Sequence, residues 1–161
     1  MALIPIKLSA ALSMFIDSKS SIFISSPNSI TEAAQKWTSA LHGYMSLVSP
    51  PAPALQATAQ GAKTVMQTAI LAAFTSQTFN TLLPTILMTY TTTLALGFAP
   101  NYVAIPPVTP PMLEVAFARA KSGGSSKEFI GQLTMIIDAW MRTGTASLIT
   151  PTGTMPPIPW F

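Results

Sequence analysis

The sequence predicts a mainly α-helical protein, and three observations carry that prediction. Proline-rich stretches at 49–54 (SPPAPA), 99–111 (APNYVAIPPVTPP) and 150–161 (TPTGTMPPIPWF) stand where helices must stop, because proline lacks the amide donor and restricts the residue before it. Between them, apolar residues recur at steps of three and four, the helical period. Two Ser-x-x-Glu pairs, Ser29 with Glu32 and Ser125 with Glu128, have the spacing of capping boxes. The expected architecture is a set of helical hairpins around one long Pro-kinked central helix, with extended Pro-rich connectors and terminal arms. There is room for a few short strand pairings near the ends, all within one domain, 1–161.

The first amphipathic helix is expected over 29–48. Ile30, Ala33, Ala34, Trp37, Leu41, Tyr44 and Val48 fall on one face, with Glu32, Lys36, Ser39 and Gly43 opposite. A long central helix is expected over 57–97. Thr75, Thr78, Thr81, Thr85, Thr89 and Thr92 recur at helical steps, opposite Phe79, Leu83, Ile86, Leu87, Tyr90 and Leu94. Threonine alone suggests strand, but this period is 3.6 and not 2. Pro84 should kink that helix or divide it, and Gly97 is a natural cap. A helical hairpin is expected over 111–142. Pro110 and Pro111 open a short helix through Leu113, Ala116, Phe117 and Ala120, and SGGSS (122–126) reverses the chain. The second helix then carries Phe129, Leu133, Ile136, Ile137 and Trp140 on its apolar face, and Lys127, Gly131, Thr134, Asp138 and Arg142 on the other.

Charge sets the strongest limit on function. Charged residues are 8% of the 161, against roughly 25% in ordinary soluble domains, while hydrophobic residues reach 49%. No charged side chain lies between Lys63 and Glu114. A surface this poor in charge exposes apolar patches that drive association, so either protein subunits or a membrane should cover much of it. The net charge of +3 comes from singly scattered basic residues, which argues against a specific nucleic-acid partner. With no cysteine, disulfides and Cys metal sites are excluded. The run LSAALSMFI (8–16) is short, lacks an A-x-A cleavage site and meets Asp17 and Lys19, so it does not read as a secretory signal.

No residue pattern points to catalysis, a cofactor or a metal. GAKT (61–64) departs from the phosphate-binding G-x-x-x-x-G-K-[ST]: Ala62 separates Gly61 from Lys63, and the surroundings are helical. His42, the one histidine, has no second ligand type near it and reads as a solvated or interface residue. Glu128 belongs to a cap, and Asp138 with Arg142 makes an i, i+4 surface pair worth about 0.3–0.5 kcal/mol. SGGSS offers amides to an anion at a helix start, but a reversal plus an N-cap accounts for each of its residues. The uncharged stretch 82–99 is the membrane alternative, in the manner of a small pore-former. Its core, 82–98, is 17 residues, contains Pro84 and five threonines, and has no Lys or Arg anchor at its flanks. Packing against protein is the better reading.

The tail PPIPWF (156–161) is a stiff apolar segment suited to binding protein. Its prolines lower the entropy lost on docking, and each large aromatic contributes on the order of 1.5–3 kcal/mol when buried. It is expected to act as an arm that lays Trp160 and Phe161 into a neighbouring subunit. Ile158, Tyr102 and Trp140 are the further expected interface residues, Trp140 with a core position as its other reading.

IPPVTPPM (105–112), KSGGSS (121–126), IIDAWMRTGT (136–145) and PPIPW (156–160), with the Trp37 helix and SPPAP (49–53) before them, resemble a loosely defined set of small virion structural proteins of tailed bacteriophages. The resemblance implies a non-enzymatic component of the particle, in the tail, baseplate or neck. Its partners would be other copies of itself and other virion proteins, and its location the virion. No catalytic residues transfer with it.

Overall fold

A computed structural model describes residues 3–161. The order of elements is α1 (Pro5–Ile16), α2 (Ile30–Met45), α3 (Leu55–Thr75), α4 (Phe79–Leu96), β1 (Tyr102–Ile105), α5 (Glu114–Lys121), α6 (Ser126–Met141), β2 (Thr145–Thr150), β3 (Gly153–Thr154) and β4 (Ile158–Pro159). The mainly α expectation holds, and a small antiparallel sheet accompanies the helices. One continuous cluster of buried side chains runs from Leu3 to Trp160 and draws on every helix.

Helix α1 begins with Pro5 in its first turn, where a missing N–H costs nothing. It buries Leu8, Leu12 and Phe15 against α2 and α6. In α2 the Ser29 hydroxyl accepts from Glu32 N at 3.1 Å as expected. The Glu32 carboxylate reaches one residue further back than a capping box requires, to Asn28 N at 2.8 Å, and pairs with Lys36. Trp37 then packs edge-on between Phe15 and Phe79, with ring centroids 5.9 and 4.8 Å away.

The expected single helix over 57–97 is instead two helices, α3 and α4, and the division falls at 76–78 and not at Pro84, which lies inside α4. Gln77 takes a left-handed conformation, φ 58°. Its N–H donates to Phe74 O at 3.2 Å, and Thr78 N–H donates to Ala73 O at 2.9 Å. These are the two bonds of a Schellman C-cap, a site that glycine fills most easily. The chain folds back, so that Gly97 at the end of α4 meets the start of α3. A Cβ on Gly97 would lie 2.8 Å from Leu55 Cα and 3.0 Å from Thr58 Cβ.

The hairpin of α5 and α6 forms where expected, except that α5 begins at Glu114, after Pro110 and Pro111 and not with them. Gly123, φ +90°, ends α5, with Gly124 N–H donating to Arg119 O at 3.0 Å. Ser125 and Glu128 form a complete capping box. Thr134 departs from its expected solvent face and is buried.

Strand β2 is the centre of the sheet. It pairs antiparallel with β1 (Tyr102 opposite Leu148, Ile105 opposite Thr145) on one side. On the other side lie β3 (Ile149 opposite Thr154) and β4 (Ala146 opposite Ile158). The stretch 150–161, expected as an arm for a neighbour, therefore forms the far edge of this chain's own sheet.

Candidate interaction surface

The structure separates the five residues expected at an interface. Trp160 is 0% exposed. Its ring stacks on Phe98, with centroids 5.4 Å apart and planes at 19°, and its Nε1 donates to Thr145 O at 3.1 Å. Gly144 makes the seat, since a Cβ there would stand 2.6 Å from Trp160 Cδ2. Trp160 is thus an anchor within its own chain and offers no exposed surface to a neighbour. Trp140 is also core, and its Nε1 donates to Thr109 O and fixes the proline connector. Tyr102 is half-buried, edge-on to Phe98. Ile158 and Phe161 remain 41% and 43% exposed, and only these two present substantial apolar surface to a neighbour. Phe161 is held through its backbone, by Ser49 N–H to Phe161 O at 2.8 Å.

His42, Tyr44 and Tyr90 find partners inside the fold, whereas Thr38 Oγ1, Gln132 Oε1 and Thr134 Oγ1 are buried without one. His42, expected at the surface, is buried between α3 and α4. Its Nδ1 is 2.9 Å from Tyr90 Oη and its Nε2 is 3.4 Å from Gln60 Nε2. The Gln60 amide nitrogen can only donate, so His42 Nε2 accepts and Nδ1–H faces the phenol. Burial, then the nearby Lys63 charge, pushes the His42 pKa down, and burial pushes that of Tyr90 up. Both groups are neutral near pH 7. Because the folded His42 pKa lies below the unfolded value, its contribution to stability is complete above about pH 6.5 and is lost as pH falls towards the folded pKa. Urea unfolding between pH 7.5 and 5 should show this fall, and His42→Gln should flatten it; an equal slope in the variant would remove His42 as its cause. Across the fold, the Tyr44 hydroxyl donates to Asp138, which also holds Arg142 Nε at 3.0 Å. Arg142 in turn donates to Leu3 O at 3.2 Å. This network ties α2, α6 and Leu3 together.

The SGGSS turn borders a cleft of about 640 Å³ between α1 and the start of α6, lined by Ser9, Ser13, Lys19, Ser125 and Lys127. The Ser125 N–H is taken by the Glu128 carboxylate at 3.0 Å. Among the described residues, no three His, Asp or Glu side chains gather to hold a metal. Among them, too, no helix is long and apolar enough to cross a membrane. Within 82–99, Leu83, Leu87 and Leu94 are buried in the chain's own core.

The charges are divided by element. Every charged side chain lies on α1, α2, the first half of α3, α5 or α6, in the turn after α1, or at Arg142. Helix α4 and all four strands carry none. On the outer face of the sheet, Val103, Ile105 and Ile149 are exposed, while Ala104 and Ala146 face inward, the alternation a half-buried sheet requires. Its edges are restricted, though not sealed, against further strands. Ile149 N–H donates to Asn101 O, so Tyr102 and Ala104 face the open side of β1. Tyr102 N–H is already bound to Phe98 O at 3.0 Å, and Pro106 follows with no donor. On the far edge, Trp160 N–H donates to Gly144 O, which turns Pro157 and Pro159 outward. Prolines at such positions block strand addition.

The α4 threonines are less polar than they read. The Oγ1 atoms of Thr89, Thr92 and Thr93 donate to the carbonyls of Thr85, Met88 and Thr89 at 2.9–3.0 Å. On α3, Thr68 and Thr75 do the same to Thr64 and Leu71. With the hydroxyls spent on their own helices, the methyls are left to meet a neighbour. Between the two helices runs a shallow cleft of about 210 Å³, lined by Ala62, Val65, Ala69, Thr85, Thr89 and Thr93 among others. Sequence reading found the periodicity of this face but not its apolar character, which depends on hydroxyl direction. A comparison with protein-family models, curated proteins and solved structures finds no match to this chain.

Proposed function

We propose that this chain is a structural, non-enzymatic assembly protein of a phage virion, a tail, baseplate or neck subunit that joins neighbouring copies and other virion proteins. The observation that supports it is the division of charge: α4 and the sheet carry no charged side chain, yet Leu82, Leu96, Val103, Ile105 and Ile149 are exposed on them. Such a surface favours burial against protein over exposure to water. The joining element differs from the one the tail suggested. Trp160 is committed to its own core, so faces carry the contact, with Ile158 and Phe161 at their margin. The virion assignment rests on the sequence resemblance, and the assembly role on the surface.

Light scattering behind a sizing column, in detergent-free buffer over a concentration series, tests the assembly role. A discrete oligomer or reversible higher assembly is expected. A 17.0 kDa monomer at every concentration would overturn it.

A further inference from the structure

We infer that the outer face of the α3–α4 hairpin is where a second copy of this chain docks. The inference rests on the assembly reading above and specifies the surface and the partner. The face consists of Gly61, Val65 and Ala72 on α3 and Leu82, Thr89 and Leu96 on α4, all exposed. Val65 is 55% and Leu96 71% exposed, and the 210 Å³ cleft lies between the two rows.

Extent favours this face over the sheet. Helices of 21 and 18 residues, about 30 Å long and together about 20 Å wide, give a footprint of roughly 600 Å². A stable partner buries about 800 Å² per side, and a corrugated surface exceeds its footprint. The outer sheet face, three strands of at most six residues, spans roughly 280 Å² at ordinary strand spacing.

Charge selects the occupant. From Thr64 to Leu113 there is no charged side chain, so a partner that brought charges against these methyls would have to desolvate them unpaired. The matching surface must be equally uncharged, and this face meets that condition against itself without like-charge repulsion. A two-fold contact uses the same patch twice. Each copy then supplies both a cleft and the leucines, Leu82 and Leu96, that stand proud at the two ends of α4.

The test compares the wild-type mass with those of two double variants, Val65→Glu with Thr89→Glu, and Val103→Glu with Ile105→Glu on the sheet. All four positions are exposed. The hairpin pair should fall to 17.0 kDa while the sheet pair keeps the wild-type mass. If the hairpin pair keeps the wild-type oligomer, the inference fails and the assembly reading stands; a monomeric wild type would end both. Since the chain has no cysteine, Val65→Cys gives an independent readout in a folded protein. A flexible bis-maleimide should link Val65→Cys into dimers and leave Lys127→Cys, on the charged side, unlinked. The reverse pattern would overturn the inference even where the glutamate variants fail to fold.

Discussion

Trp160→Ala should cost this protein about 3–5 kcal/mol of folding stability, the range for emptying a buried large aromatic site. Against the 5–15 kcal/mol typical of whole domains, the loss is visible as a lower urea midpoint at unchanged slope. Three features place it at the upper end. The ring has no exposure, it stacks on Phe98, and its removal leaves the Thr145 carbonyl without its indole donor. The same substitution separates two views of the tail. If Trp160 docked in a neighbour, the isolated chain would lose little stability and the oligomer would dissociate. If it anchors its own sheet, stability falls first. A change within 0.5 kcal/mol would return Trp160 to the role of an arm.

Gly97→Ala should destabilise by about 1–3 kcal/mol, the usual cost of overpacking. The neighbour is backbone, Leu55 Cα at 2.8 Å from the new Cβ, so no rotamer change relieves it. The sign is the informative part. In one continuous helix, Gly97 and Leu55 would be 42 residues, or about 63 Å, apart. Alanine at an open helix end would then be neutral or stabilising by up to about 1 kcal/mol. Chemical denaturation therefore reports on whether the chain reverses between α3 and α4. A stabilised Gly97→Ala would argue for the single helix.

That reversal is where sequence reading failed, for a local reason. Breaks are legible when glycine or proline marks them, and 76–78 is Ser-Gln-Thr. Gln77 accepts a left-handed conformation because the packing of α3 on α4 outweighs a cost of about 1–2 kcal/mol. The threonine periodicity happens to run in phase across the break, while Pro84, the visible signal, lies inside α4. By contrast, the reversal between α5 and α6 was legible, since Gly123 and the Ser125–Glu128 box act within a few residues, although α5 starts three residues after Pro111 and Thr134 turns inward. Helix α1 was legible and overlooked: Leu8, Leu12 and Phe15 have helical spacing, but the stretch was weighed only as a leader. The fate of the tail was not legible, because it depends on Gly144, 16 residues earlier, leaving a hole of the right shape for an indole. Of the five expected interface residues, Ile158 and Phe161 keep substantial exposure, since neither faces that hole.

The prolines along the tail have a consequence for how large the proposed assembly of this chain would grow. An open strand edge is a template without an end, because each copy added by backbone pairing presents the same edge again. Here Pro157 and Pro159 terminate one side, and Pro106, with the engaged Tyr102 amide, limits the other to the Ala104 donor. In the assembly proposed above, copies would then meet through side chains on faces and not by strand addition. Geometry, and not the supply of subunits, determines when such an array closes.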